Sequence, residues 1–433
     1  MNNTRHSRRR HAWLTLCAAA ISVLTFAANP ASAQCQYEVT AIIQGPPCWP
    51  SNFPAVLRGR GMNSYGHVVG SWQMCLETAD EAFYWTPETG LVTMTRPAGV
   101  TSAMASDIND HGQIVGGHQV NGVGWKGFVY DIKTQQYTYL EPLHDWPVPV
   151  HILSSLNAIN NAGIAVGSRV ISKPGVSPTI SNAVIWDTNT GEVIDLGVVK
   201  GLSGEAVDGD NSFSAAGWIG TSEFGADTRA AAWFDMKLEQ AGVLPGMTSS
   251  RSKHLNCHRE VVGLSTPVSG IGLHFFWAQG QMDAILPPGG YDAVGTADYS
   301  DTRQMTGHIR VKGTSIVHPF LWQHGEFYNM RELVVNVPEG IVIDLTHIIS
   351  PTGTILARSG TLAVLLSPVD LPVADLNHDC RVDVHDLLML LNAWSSQVRV
   401  RSQNSPPADI NEDGVVDVSD LLILLANWSQ LQE

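Results

Sequence analysis

Two stretches near the C-terminus place oxygen-bearing side chains at one fixed spacing. Asp375, Asn377, Asp379, Asp383 and Asp386 fall at positions 1, 3, 5, 9 and 12 of a twelve-residue window. Asp409, Asn411, Asp413, Asp417 and Asp420 repeat that spacing 34 residues later. Calcium is a hard cation that takes six to eight oxygens, and a twelve-residue loop supplies them from positions 1, 3, 5, 7, 9 and 12, with glycine at 6 for the sharp turn. Position 7 acts through its backbone carbonyl, so Arg381 and Val415 serve there. The sequence therefore predicts two calcium ions, one per loop. Charge agrees: from 375 to 433 ten acids stand against three arginines, a net of −7, and clustered carboxylates repel unless a cation neutralises them.

Each loop runs into an apolar segment that ends in tryptophan, 387–394 and 421–428, which predicts a helix. Pro372 and the pair Pro406 and Pro407 oppose a helix before either loop. Position 12 is Asp where the EF-hand has Glu. This order of loop, helix, linker, loop and helix resembles a type I dockerin, and residues 371–433 are expected to form a small all-α calcium-binding module. The resemblance implies a cohesin-like or cell-surface protein as partner. In that family the residues just before position 12 help to choose the partner; here they are Val384 and His385, then Val418 and Ser419, not the familiar Ser-Thr type. Cys380 stands where glycine is preferred, which is expected to weaken the first turn and its affinity relative to the second.

Elsewhere the chain offers little catalytic chemistry. It contains no H-E-x-x-H, no G-x-S-x-G, no Walker loop and no dinucleotide fingerprint. His318, His324, His254 and His258 are read as surface or strand-turn residues rather than as a site, and 208–211 (Asp-Gly-Asp-Asn) as a hairpin turn rather than a cation loop. Two function classes stay open: a secreted binding or display protein, possible glycan ligands included, and a carbohydrate-active hydrolase carrying a dockerin. The inserts near 139–153 and 170–182 hold few carboxylates, which favours binding without catalysis.

Residues 34–370 must supply the platform, and they repeat. Asn63, Gly66, Val68, Val69 and Gly70 precede a run from Ala82 to Trp85; Asn109, Gly112, Ile114, Val115 and Gly116 precede Gly127 to Tyr130; Asn160, Gly163, Ala165, Val166 and Gly167 precede Ala183 to Trp186. Weaker copies end their first motif at 217, 263, 307 and 357. Asn-x-x-Gly is a tight hairpin turn, the valines form a strand, and the aromatic run is its partner. Copies 44 to 51 residues apart predict a mainly β fold, a repeat β-propeller of seven blades, with an open β-solenoid as the competing architecture. The orphan strand 37–43 is expected to complete the last blade and close the ring. The motifs resemble the HAF family of probable extracellular repeats, which implies secretion and a repetitive β-fold and carries no catalytic residues over.

Composition bounds the rest. The 433 residues carry a formal charge of −15, which excludes the basic surface that nucleic acid needs. Arg5, Arg8, Arg9 and Arg10, an apolar run at 13–28 and Ala31-Ser32-Ala33 read as a signal peptide over 1–33, with export and a mature start at Gln34. No later stretch reaches membrane-spanning length. Export allows disulfides. Cys35 with Cys48 is the expected pair, Cys75 with Cys257 a second candidate, and Cys380 the expected free thiol.

Overall fold

A computed structural model describes residues 35–428, apart from 49–52, 74–78, 122, 142–153, 172–179, 198–201, 211–212, 224, 370, 395–407 and 412–414. The predicted signal segment, Cys75, Asp413 and most of both inserts lie outside the described residues.

Seven four-stranded antiparallel sheets form a β-propeller. Blades 1 to 6 span 56–93, 100–139, 154–195, 203–242, 249–284 and 291–329. The first strands of successive blades touch one another all the way round, and that of blade 7, Leu345–Ile349, touches that of blade 1, Val56–Met62. The ring is therefore closed, as the propeller reading expects and the solenoid reading does not. Blade 7 takes its outer strand from the chain's start: Gln36–Ile43 pairs antiparallel with Leu362–Val369, with Tyr37 opposite Pro368 and Ile43 opposite Ala363. A single-turn helix, α1 (Met330–Leu333), bridges blades 6 and 7, and the backbone N–H of Val335 donates to the Tyr37 carbonyl at 2.9 Å.

The repeat motif explains how a blade forms. Asn109 Oδ1 accepts from the backbone N–H of His111 and Gln113, which fixes the turn, and Gly112 takes φ +81° to complete it. Asn63 and Asn160 do the same in their blades. Their side-chain amides also reach onward: Asn63 Nδ2 donates to the Asn109 carbonyl, Asn109 Nδ2 to that of Asn160, and Asn160 Nδ2 to that of Asp210. The turn asparagine is thus also a connector between blades 1, 2, 3 and 4. The small residue that ends the Val-Val run has a steric cause: a Cβ at Gly70 or Gly217 would overlap the carbonyl oxygen of Arg58 or Glu205 on the first strand. That strand carries a one-residue bulge at this level in all seven blades.

Beyond the bulge, blades 2, 4 and 6 carry Asp107, Asp208 and Asp298. Each accepts a backbone N–H from the next blade, from Ile159 at 2.9 Å, Leu255 at 2.8 Å and Ile349 at 2.9 Å. The hairpin turn expected at 208–211 is present at Asp210, which takes the turn position of the repeat with its Oδ1 accepting from Ser214 N–H, while Asp208 lies in the bulged strand and joins two blades. Between the sheets lie the aromatic residues of the third strands, with Phe83, Phe128, Trp233, Phe275 and Phe320 wholly buried.

The cysteines depart from expectation. Cys35 is bonded to Cys380, and Cys257 is a free, exposed cysteine. Cys35 with Cys48, Cys75 with Cys257, and a free Cys380 are therefore all overturned. Nearness in sequence pointed to Cys48, but ring closure brings the first strand beside the end of the chain. The bonded residues lie 345 apart in sequence with Cα atoms 5.3 Å apart.

Candidate metal centre

Two nine-residue helices follow the acidic loops, α2 (Val384–Asn392) and α3 (Val418–Ala426). Each begins on the aspartate at loop position 9. Asp383 accepts from His385 N–H at 2.7 Å, and Asp417 accepts from Ser419 N–H at 2.7 Å. The position-12 carboxylate closes a capping box in return: Asp386 Oδ2 accepts from Asp383 N–H at 2.7 Å, and Asp420 Oδ2 from Asp417 N–H at 2.8 Å. The other oxygen of the same carboxylate reaches the loop's start. Leu376 and Asn377 donate to Asp386 Oδ1, as Ile410 and Asn411 do to Asp420 Oδ1. One aspartate therefore ties both ends of its loop together, twice over. Asp suits position 12 here because it must cap a helix as well as face the loop.

The module has a small core of its own. Leu376, Val382 and Leu390 from the first half meet Ala408, Val416 and Leu424 from the second. Val382 with Val416 and Leu390 with Leu424 are equivalent positions of the duplication, so α2 and α3 pack as related copies. The outward faces are apolar as well: Val384, Leu388 and Leu391, and their counterparts Val418, Leu422 and Leu425, are exposed.

The first loop buries its donors, although no three His, Cys, Asp or Glu side chains converge as a metal site among the described residues. Asp375, Asn377, Asp379 and Asp386 are all buried. Asp375 Oδ1 accepts from Asp379 N–H at 3.0 Å and its Oδ2 from Cys380 N–H at 2.7 Å; Asp379 Oδ1 accepts from Arg381 N–H at 3.0 Å. Burial, and then the neighbouring Asp379, push the Asp375 carboxyl up to about 7, and burial raises Asp379 and Asp386 too. Buried carboxylates that resist ionisation side by side are a charge deficit, and an all-oxygen donor set of this kind fits a hard divalent cation. In the second loop Asp409 and Asp420 are buried, while Asn411 and Val415 are exposed.

Cys380 occupies the glycine position with φ +65°, and His378 takes φ +54°. A left-handed backbone at a residue with a Cβ costs about 1–3 kcal/mol and persists only where the surroundings enforce it. Here the disulfide and the propeller do so. Gln304 Nε2 donates to the His378 carbonyl at 3.4 Å. His324 Nε2 lies 3.3 Å from the Asp379 carbonyl oxygen and 3.6 Å from its Oδ2. Arg303 Nη1 lies 3.3 Å from His385 Nε2. The first loop is thus seated on the turns of blade 6, which spacing alone did not signal.

The other histidines do not gather into one site. His254 Nδ1 sits 3.1 Å from Asp298 and 3.9 Å from Asp208, His318 pairs with the Tyr291 hydroxyl, and His258 donates its backbone N–H to a turn asparagine, Asn256. Burial would depress His254, but the Asp298 carboxylate holds its pKa above the ordinary value. Burial pushes Asp107 and Asp208 up to about 7.

Comparison with known proteins agrees with this geometry. Residues 373–427 match the family model of the dockerin type I domain. Residues 76–202, which run from blade 1 into the link after blade 3, match a family described as protein of unknown function, DUF3466. Neither match shows the HAF resemblance of the repeats. No curated protein matches the chain. Among solved structures, one described as two prolyl endopeptidases matches with a TM-score of 0.50 at 9% identity, over 74% of this chain and 51% of that one. The β-propeller domain of the Trilobed protease from Pyrococcus furiosus matches with a TM-score of 0.47 at 13% identity, over 73% and 95%. Oligogalacturonate lyase from Vibrio parahaemolyticus matches with a TM-score of 0.47 at 10% identity, over 78% and 99%. At such identities the likeness speaks to the fold alone. The chain thus joins a seven-bladed β-propeller to a type I dockerin domain.

Proposed function

We propose that this chain is a secreted, non-catalytic calcium-binding protein whose propeller binds or displays, and whose dockerin attaches it to a cohesin-like partner or a cell surface. The duplicated capping geometry carries the reading. Two loops 34 residues apart hold their position-12 carboxylates by the same three backbone N–H groups and start their helices from the same position-9 aspartate. In the first loop Asp375, Asn377, Asp379, Asp383 and Asp386 would hold one calcium ion, with the Arg381 carbonyl. In the second, Asp409, Asn411, Asp413, Asp417 and Asp420 would hold another, with the Val415 carbonyl. The ion supplies charge neutralisation and fixes the loop, and the chain's own residues then set α2 against α3 through Leu390 and Leu424.

The exposed apolar rows on α2 and α3, at matching positions, support a protein partner rather than a free module. Dockerin domains bind cohesins, which gives the partner its class. The absence of catalysis is supported by the ring's own acids: Asp107, Asp208 and Asp298 are already engaged by backbone N–H groups that hold blades together. Among the described residues no helix is long and apolar enough to cross a membrane. The test is surface-plasmon binding of the mature chain to immobilised cohesins in calcium and in chelator, beside a polysaccharide hydrolysis assay. Calcium-dependent retention without released sugar is expected. Sugar release abolished by an aspartate substitution in the ring would replace this reading with the hydrolase.

A further inference from the structure

The disulfide ties together two parts of the chain with separate tasks. Cys35 immediately precedes the strand that closes the propeller, and Cys380 is position 6 of the first acidic loop. We propose that this bond makes occupancy of the first calcium loop and closure of the propeller by strand Gln36–Ile43 one coupled event, sensitive to reduction. The inference rests on the calcium reading above and adds to it a regulatory link from loop to ring.

Three observations carry it. The first is a direct path. The Cys380 N–H donates to Asp375 Oδ2 at 2.7 Å, so the position-1 carboxylate grips the backbone of the bonded cysteine. Any ordering of Asp375 by a cation is transmitted to Cys380 and through its sulfur to Cys35. The second is that both cysteines are buried in one hydrophobic cluster of blades 6 and 7, with Tyr37, Leu321, Leu333, Val334, Ile349 and Val364. A shift of either cysteine must therefore disturb the packing of the closing strand. The third is Tyr37. Its side chain is wholly buried, and its hydroxyl has no partner among the described residues. It packs in the same buried cluster as Cys380 of the loop. Loop and closing strand thus meet through space as well as through sulfur.

The contrast with the second loop sharpens the point. Position 6 there is Gly414, and no cysteine follows 380. A disulfide can therefore fix the first loop to the ring but not the second. Linkage is reciprocal: if calcium steadies the strand, the strand's closure tightens calcium in that loop by the same factor.

The experiment is hydrogen exchange of the oxidised mature chain, 34–433, in calcium chloride and in EDTA, with calorimetry on the same samples. Calcium is expected to slow exchange across 36–43 about tenfold. The slowing persists in Asp409→Ala and is lost in Asp375→Ala. It is also lost when the folded wild type is reduced, and in Cys35→Ala with Cys380→Gly, a pair that relieves the left-handed strain and still binds two ions. Two ions bound by the wild type with exchange at 36–43 unchanged would overturn the coupling alone. Equal slowing in the unlinked variant and in the reduced protein would overturn the part played by the disulfide. No calcium bound at all would overturn the calcium reading, and this inference with it.

Discussion

Asn109 shows how much one repeated side chain does. Its Oδ1 holds the turn, while its Nδ2 reaches Gln113 at 2.7 Å and the next blade at 3.0 Å. Asn109→Ala should destabilise the chain by about 1–3 kcal/mol, since it leaves turn N–H groups and a carbonyl without partners. Asn109→Asp keeps the Oδ1 acceptor and turns the Nδ2 donor into an oxygen facing the Gln113 and Asn160 oxygens, so urea denaturation should place it below wild type. Stability equal to wild type in Asn109→Asp would show that the inter-blade bond contributes nothing. The turn role was legible in the sequence, because Asn-x-x-Gly names its own geometry. The onward bond was not, because it joins residues 51 apart and depends on how blades pack. The cysteines failed for the same reason: a pairing across 345 residues is set by ring closure, which no local spacing encodes. Removing that bond with Cys35→Ala and Cys380→Ala should cost about 2–4 kcal/mol, read as a lower urea midpoint, and non-reducing peptide mapping should recover a 35–380 link.

At the scale of elements, the closing strand and the bulged first strands decide the ring's stability. Deleting 35–43 removes the outer strand of blade 7 and exposes the edge of Leu362–Val369. Hydrogen exchange should then loosen blade 7 first; loosening of blade 1 first would contradict the closure. The orphan strand was legible because seven motifs were counted and the seventh ran out of chain. The bulges were not legible, since nothing in the sequence marks an unpaired residue. They place Asp107 and Asp208, whose carboxyls burial holds near 7, and His254, held high by Asp298. For all three the folded state binds protons more tightly than the unfolded chain. Their contribution to stability is present at low pH and is lost as pH rises, for the two acids between about 4 and 7. In saturating calcium these groups should make the melting temperature fall from pH 5 to pH 8. Asp107→Asn with Asp208→Asn should flatten that slope whatever it does to absolute stability. An unchanged slope would place the titration elsewhere.

On the scale of the whole molecule, the dockerin is seated on the ring rather than strung from it. Its first loop rests on Gln304 and His324 and is bonded to Cys35, while its second has glycine where the first has the bonded cysteine. The two-part architecture was legible because each part is a repeat with a strict spacing. The junction was not, because its contacts come from three distant segments: the strand's start, the turns of blade 6 and the loop. The glycine missing from position 6 was the one available sign, and it pointed to weakness where the structure supplies a cross-link. The central claim is that both loops take calcium. Calorimetry on the intact mature chain tests it most directly, because the module shares its first loop with the propeller. Two calcium ions per chain are predicted, falling to one in Asp375→Ala with Asp386→Ala and to one in Asp409→Ala with Asp420→Ala. No heat of binding up to millimolar calcium, a generous limit for an extracellular module, would contradict it.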